Sequence, residues 1–422
     1  VAANELATIS RSQRHLVASN ATDAAGRSLS DITIELLFVG TLGASAMQMG
    51  LLNTLGSLAF VLCAIPAGHW VDRYSALRML RIGLSGKITL LFCLMVLAFS
   101  GQMSIGIGLL LCTLLGACNV FSETAQTSAV PRIIGADPKT RTASISKLIA
   151  RLSAADQSMT VIIPALAGTG FTLLGAPALL GVSLALAIFA LLLAVRIRPH
   201  LAGIRESSNV AEARAGTKGK REVFAGVSHL LQHRELRMTT FVVGLSNLGL
   251  AMGSSVEAIF IIKDLGFGEF GFGLYASLAG VGGLIGALLA SRVVVRYSAQ
   301  ELLFSMTLAQ MVLVAVLVVA AFTNEFWSIA LVALHALGWG SATLLFNVSA
   351  SSWLVEIVPE KLLGRVLSAR RLFTFGAIPL GSLLGGVLGS GFGTVVALTG
   401  WGVAALAALL CCSWSMGLRP RR

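Results

Sequence analysis

Apolar stretches of about 20 residues, separated by short polar breaks, dominate the chain, and stretches of that length are what a membrane-crossing helix requires. Twelve are read, at 16–42, 46–67, 80–100, 105–126, 143–170, 176–196, 238–262, 271–293, 300–322, 327–350, 365–389 and 392–417. Residues 46–67 carry no charge, and residues 82–122 carry only Lys87. The first and fifth stretches are the least apolar, and the charges of the neighbouring loops require them as spans. The pattern predicts an all-α membrane protein with an N-terminal half at 1–196, a polar segment at 197–237 and a C-terminal half at 238–422. Within the polar segment, Arg221 to Arg237 spaces Val223, Val227, Leu230 and Leu231 like one face of a helix with basic residues between, which predicts a helix lying along a membrane surface.

Composition agrees with lipid as the solvent. Charged residues make up 12% of the chain, hydrophobic ones 56%, and the mean hydropathy is +0.85; soluble proteins carry about 25% charged residues. The 45 glycines suit close packing between membrane helices. The six cysteines lie in or beside apolar segments without C-x-x-C spacing, so they read as small buried hydrophobes rather than metal ligands or a disulfide framework. The N-terminal segment is polar, and no cleavable signal peptide is expected.

The net charge of +12 is distributed by topology rather than along a nucleic-acid surface. With a cytoplasmic N-terminus, 26 of the 31 basic residues fall in inner segments, Lys263 alone lies in an outer one, and Arg27, Lys87, Lys147 and Arg151 fall inside spans. Such asymmetry predicts that both termini are cytoplasmic.

Ionisable residues inside spans are the candidate chemistry. Asp23, Arg27, Asp31 and Glu35 recur every four residues and so form one stripe on a helix. Each would cost on the order of 2.5–3.5 kcal/mol against lipid, so the stripe faces a watery cavity or partners in other spans. It is read as a proton-carrying or substrate-facing column, with pairing between neighbouring turns allowed by the spacing. Asp156 and Arg151 in the fifth span are five residues apart and are expected to meet different neighbours, Arg151 balancing a carboxylate of span one. Asp31, Glu35, Asp23 and Asp156 are the candidates for proton coupling. Arg27, Asn119, Glu123, Arg151, Asn247, Glu257, His335 and Asn347 are candidates for contact with a substrate, His335 reading equally as a packing residue. No nucleotide-binding loop, paired-His metal motif or large extramembrane domain is present in the sequence, so neither an enzyme nor a cofactor is expected.

The stretch GHWVDRYSALRMLR, Gly68 to Arg81, reads as a short basic hinge between spans two and three. Its Gly68, Asp72 and Arg73 resemble the Gly-x-x-x-Asp-Arg signature of the major facilitator superfamily, with the usual basic tail displaced to Arg78 and Arg81. In span five, IIPALAG with Pro164 and Gly168 resembles the Gly-Pro element of exporters in that family, Ile163 standing where glycine is expected. SLSDITIELL (Ser28 to Leu37), SAVPRIIGADPKTRTASIS (Ser128 to Ser146), EVFAGVSHLLQHRELR (Glu222 to Arg237) and GRVLSARRLFTFGAIPLGSLLGG (Gly364 to Gly386) are similar, in order, to the bacterial branch of enterobactin-type siderophore and macrolide exporters.

The resemblance implies the major facilitator fold, twelve transmembrane helices in two six-helix halves, with spans one, four, seven and ten lining a central cavity. It implies a monomer in the bacterial cytoplasmic (inner) membrane that exports an amphiphilic small molecule by proton antiport. Asp31 then takes the proton-coupling role, and Gly68, Asp72, Arg73 and Arg78 form a conformational latch. Sodium remains open as the coupling ion. The additional Asp23, Arg27 and Glu35 keep a second reading open, a transporter that uses the charges of span one as direct ligands for a polar metabolite or ion. A membrane sensor of the same fold without turnover is a third.

Overall fold

A computed structural model describes residues 2–134, 138–198, 227–228, 230–358 and 360–416. These form long helices throughout: α1 (Ala2–Leu36), α2 (Ala46–Tyr74), α3 (Ala76–Phe99) and α4 (Ile105–Ile133). A continuous run, Pro138–Val195, breaks at Gly175 (φ 76°, ψ 169°) into α5 (138–174) and α6 (176–195). Then follow α7 (Arg234–Ile259), α8 (Gly268–Arg296), α9 (Ala299–Ala320), α10 (Glu325–Ile357), α11 (Glu360–Phe392) and α12 (Thr394–Met416). Among the described residues, ten helical segments are long and apolar enough to cross a membrane by length and composition alone. The polar α1 and the first part of α5 are the exceptions, as the hydropathy of the sequence anticipates. Among the described residues the architecture is all-helical.

The helices group into two compact units. One contains α1 as far as Ile34, α2 from Ala59 onward, and α3 to α6; the other contains Glu35–Leu58 and α7 to α12. In the first unit α3 packs on α4 and on the α5–α6 run, around a core that includes Leu16, Leu80, Leu84, Ala129 and Ile133. In the second, α7 packs on α11 and α12, and α10 packs on α8 and α9, around Val242, Leu303, Phe346 and Trp353. Most of the polar segment at 197–237, including the first part of the expected surface helix, lies outside the described residues. Its last residues are helical at 230–232, and α7 begins directly after His233.

Gly68 to Arg81 is not a hinge of any length. Helix α2 continues through the signature to Tyr74 and α3 starts at Ala76, leaving Ser75 as the break. Arg73 falls in the last turn of α2, where a cation complements the helix dipole, and its guanidinium lies over the Tyr74 ring at 5.6 Å. The same tetrapeptide, Arg-Tyr-Ser-Ala, recurs at Arg296–Ala299 between α8 and α9. Helices α1 and α7 also end alike. Each passes into a π-turn, Leu37–Thr41 and Phe260–Asp264, followed by Leu-Gly with the glycine at positive φ (Gly43 64°, Gly266 72°). Such a glycine closes a helix that a residue with a Cβ would leave strained. The two helix ends are thus built on one local plan.

Glycine sets the closest packing. A Cβ on Gly340 of α10 would collide with the Ala279 carbonyl of α8, and one on Gly282 of α8 with the Leu337 carbonyl of α10. These helices cross backbone to backbone, as small-residue faces permit. Gly340→Val is expected to cost about 1–3 kcal/mol through overpacking, read as a lower melting temperature in detergent. Gly56→Ala, whose Cβ meets nothing within 4 Å, should melt as the parent does. Equal melting of both variants would refute the tight crossing.

Candidate functional site

The stripe on α1 meets partners from three other helices. Asp23 and Lys87 of α3 form an ion pair in which both side chains are almost completely buried (5% and 3% exposed). The second carboxylate oxygen of Asp23 accepts a hydrogen bond from Gln126 Nε2 of α4 at 3.1 Å. One turn further along α1, Arg27 pairs with Glu123 of α4 through Nη1 and donates from Nη2 to Asp156 Oδ1 of α5 at 2.6 Å. The Arg27 side chain is 19% exposed and its two carboxylate partners are about twice as open. The position of α1 is fixed by neutral bonds as well: Ser19 Oγ donates to the Ala190 carbonyl of α6 at 2.9 Å, and Asn20 Nδ2 to the Leu152 carbonyl of α5 at 3.0 Å.

Pairing therefore runs between helices, not between successive turns of α1. Spacing of four residues allows both, but an intrahelical pair would leave Lys87, Glu123 and Asp156 without counter-charges. Asp31, on the same stripe, is exposed and makes no hydrogen bond or ion pair with a described residue, though it lies in the field of Arg27 and Lys87. Glu35 is half-buried and belongs to the second unit. Arg151 is exposed and makes no ion pair with a described residue; the cation that balances a carboxylate of span one is Lys87, at Asp23. Asn119 lies one turn from Glu123 on α4, its side-chain oxygen buried without a hydrogen-bond partner. Arg78 is exposed on the first turn of α3; Gly68 and Asp72 fall within α2, and the side chain of Asp72 lies outside the described residues.

The second unit holds the remaining candidates. Asn247 Nδ2 donates to the Thr374 carbonyl at 3.0 Å, tying α7 to α11. Glu257 accepts a hydrogen bond from the Tyr275 hydroxyl of α8. His335 of α10 is completely buried, with Nδ1 2.8 Å from the Leu313 carbonyl; a carbonyl only accepts, so Nδ1 carries the proton. Its ring lies nearly parallel to those of Tyr275 (centroids 6.0 Å apart) and Trp339 (5.7 Å), with Trp401 of α12 edge-on. Asn347 is exposed. Lys87, Gln126, Tyr275, Trp339 and Trp401 belong to these clusters, and sequence reasoning did not select them. Lys87 carried a signal: one lysine in an otherwise charge-free stretch needs a buried acid.

Among the described residues, no group of three or more His, Cys, Asp or Glu is placed to hold a metal ion. Long apolar helices with paired charges inside them define a multi-pass membrane protein of the transporter type. The family model of the Major Facilitator Superfamily matches residues 16–352, and the chain belongs to that superfamily. It is a secondary transporter of the major facilitator type. No curated protein matches it in sequence. Among solved structures, it is similar to a variant of the nucleoside transporter NupG (TM-score 0.75, 14% identity, 97% of this chain and 100% of that one). It is also similar to a D-xylose–proton symporter (0.69, 16%, 94% and 96%). A third is a bacterial homologue of the iron transporter ferroportin in an inward-facing state (0.65, 16%, 96% and 98%). At these identities the likeness is one of fold.

Lys87→Met leaves Asp23 buried and alone, which is expected to destabilise the protein by about 3–5 kcal/mol. The double variant Asp23→Asn with Lys87→Met keeps an acceptor for Gln126 and should recover most of that loss. Thermal unfolding in detergent reads both, and equal losses in the single and double variants would contradict the pairing.

Proposed function

We propose that the chain exports an amphiphilic small molecule from the cytoplasm in exchange for protons, by alternating access of its two six-helix halves, 1–196 and 238–422. The observation that carries this reading is the state of the α1 stripe. Asp23 and Arg27 are engaged by Lys87, Glu123 and Asp156, while Asp31 remains exposed and without a hydrogen bond or ion pair to a described residue. A carboxylate with no fixed counter-ion is the one that can gain and lose a proton without breaking a bond within the protein. A proton on Asp31 also removes the negative charge one turn from Arg27, strengthening the hold of Glu123 and Asp156 on that guanidinium. Proton occupancy thereby reaches α4 and α5 through Arg27.

The resemblance to siderophore and macrolide exporters supports export over uptake, in a bacterial inner membrane with both termini cytoplasmic. Use of the stripe as direct ligands for a polar metabolite is less well supported, because two of its charges already have protein partners. Asp72 and Arg73 latch the inner face in the outward-open state, an assignment that rests on the resemblance of the signature.

In proteoliposomes with a pH-sensitive dye, siderophores, macrolides or other amphiphiles are expected to drive proton movement that Asp31→Asn abolishes. Proton movement that persists in Asp31→Asn would overturn the role of Asp31, and none with any compound in folded protein would overturn the exporter reading. Asp72→Asn should retain normal expression and lose most transport; unchanged transport would remove the latch.

A further inference from the structure

The second copy of the Arg-Tyr-Ser-Ala turn borders a cavity that transport does not use. It measures about 360 Å³ and lies where the end of α8 and the start of α9 meet α10, within the second unit. That volume is at the lower end of the range for small-ligand pockets, about 300–1,000 Å³. Arg296 closes α8, Tyr297 and Ser298 form the turn, and Ser349 and Ser352 face them from α10.

Three of these residues have uncommitted donors. The side chains of Arg296, Tyr297 and Ser352 make no hydrogen bond or ion pair with a described residue; the first two are exposed and Ser352 is half-buried. In the first copy of the turn, by contrast, the Arg73 guanidinium lies over the Tyr74 ring. The other two hydroxyls are taken: Ser298 exchanges bonds with Glu301, and Ser349 donates to the Phe346 carbonyl at 2.8 Å. No acidic residue lines the cavity. Glu301 is folded back onto the Ser298 amide and hydroxyl, where it caps its own helix. The α10 backbone next to Ser349 is held by a second cation, buried Arg370, which donates to the Ala350 carbonyl at 3.1 Å. A guanidinium and two hydroxyls without a competing carboxylate suit an anion that offers several oxygens, such as a phosphate group.

The remaining wall decides where that phosphate comes from. Val294 and Val295, also in the lining, are 40% and 88% exposed. Exposed valines at the end of a membrane-crossing helix face acyl chains, and an arginine beside them reaches the headgroup level. Tyrosine favours the same boundary. An apolar lip next to a cationic, hydroxyl-bearing wall fits an amphiphile standing in the bilayer better than a free ion. Basic pockets between membrane helices bind anionic headgroups in this way. A zwitterionic headgroup would bring an ammonium for which the lining has no carboxylate.

We propose that this cavity binds the phosphodiester of an anionic phospholipid. Arg296 pairs with the phosphate, Tyr297 and Ser352 donate to its oxygens, and the acyl chains lie along Val294 and Val295. The site requires only that the second unit sit in a membrane, so it stands apart from the cargo and from proton coupling.

The test is native mass spectrometry of the purified full chain, stripped of lipid in detergent and titrated with dioleoylphosphatidylglycerol. One lipid should bind ahead of all others. Arg296→Gln should weaken it about tenfold, equivalent to about 1.4 kcal/mol. Ser352→Leu, which fills the cavity without changing charge, should weaken it similarly. Arg371→Gln removes an exposed arginine outside the lining and should bind as the parent does. Dioleoylphosphatidylcholine, with the same chains, should bind several-fold more weakly. Equal losses in Arg296→Gln and Arg371→Gln would reveal a diffuse basic surface and overturn the site, as would parent-like binding by Arg296→Gln. Equal affinity for the two lipids would overturn the anionic headgroup. Displacement of the lipid by an equal concentration of inorganic phosphate would make this a free-anion site and overturn the lipid. Melting without lipid shows whether each variant folds; if Ser352→Leu does not, the contrast between Arg296→Gln and Arg371→Gln decides.

Discussion

Lys87 and Asp23 face each other with almost no solvent around either, and that contact decides how a helix as polar as α1 can lie inside lipid. An isolated charge at either position would be expensive, so the two must be buried together or not at all. Once α3 supplies Lys87, α1 is fixed in rotation, and its fourfold spacing brings Arg27 to Glu123 and Asp156. Gln126 completes the coordination of Asp23 from α4. The neutral bonds of Ser19 and Asn20 to backbone carbonyls then hold the same rotation from the α5–α6 side. The accessibility of Asp31 is a consequence of this arrangement, because the stripe has more carboxylates than its neighbours have cations.

The second unit uses the same local plan with different chemistry. Lys87 lies twelve residues after Ser75, and the residue twelve after Ser298 is Gln310, which is buried and donates to Thr343 Oγ1 at 3.4 Å. An amide therefore stands where the first unit has its buried cation. Glu257 of α7 accepts from a phenol beside aromatic rings rather than from lysine or arginine. Electrostatic order is concentrated in one half, while aromatic surface and an uncompensated carboxylate mark the other.

Much of this fold is legible in the sequence. Lipid imposes long apolar segments, and segments of that length can be read from composition without knowing any contact. The stripe on α1 is legible too, since periodicity alone puts its members on one face. Its partners are not. Four-residue spacing favours pairs within α1, whereas the actual pairs require α3, α4 and α5 to be placed first. Arg151 and Asp156 show the limit clearly. Their five-residue separation predicts different neighbours, yet only packing reveals that Asp156 meets Arg27 and that Arg151 makes no ion pair with a described residue. The hinge at Gly68 to Arg81 misleads because basic residues look like loop, although arginine is a good helix former and suits a helix end. His335 could not be assigned from sequence because its environment is made by rings from three helices.

The repeated tetrapeptide gives the chain an internal reference. Ser298 starts α9 with its hydroxyl accepting from the Glu301 amide, and Glu301 returns the bond to the Ser298 backbone. Ser75 starts α3 at φ 100° with no side-chain cap, a conformation that costs a residue with a side chain on the order of 1–3 kcal/mol. Three residues on, where α9 has Glu301, α3 has Arg78, which can return no such bond and brings positive charge to the positive end of a helix. One copy of the turn is therefore at rest and the other is loaded. Among the differences that follow the shared tetrapeptide is a charge reversal, Arg78 against Glu301, so the same four residues open one helix with a closed capping box and the other with a bare, strained start.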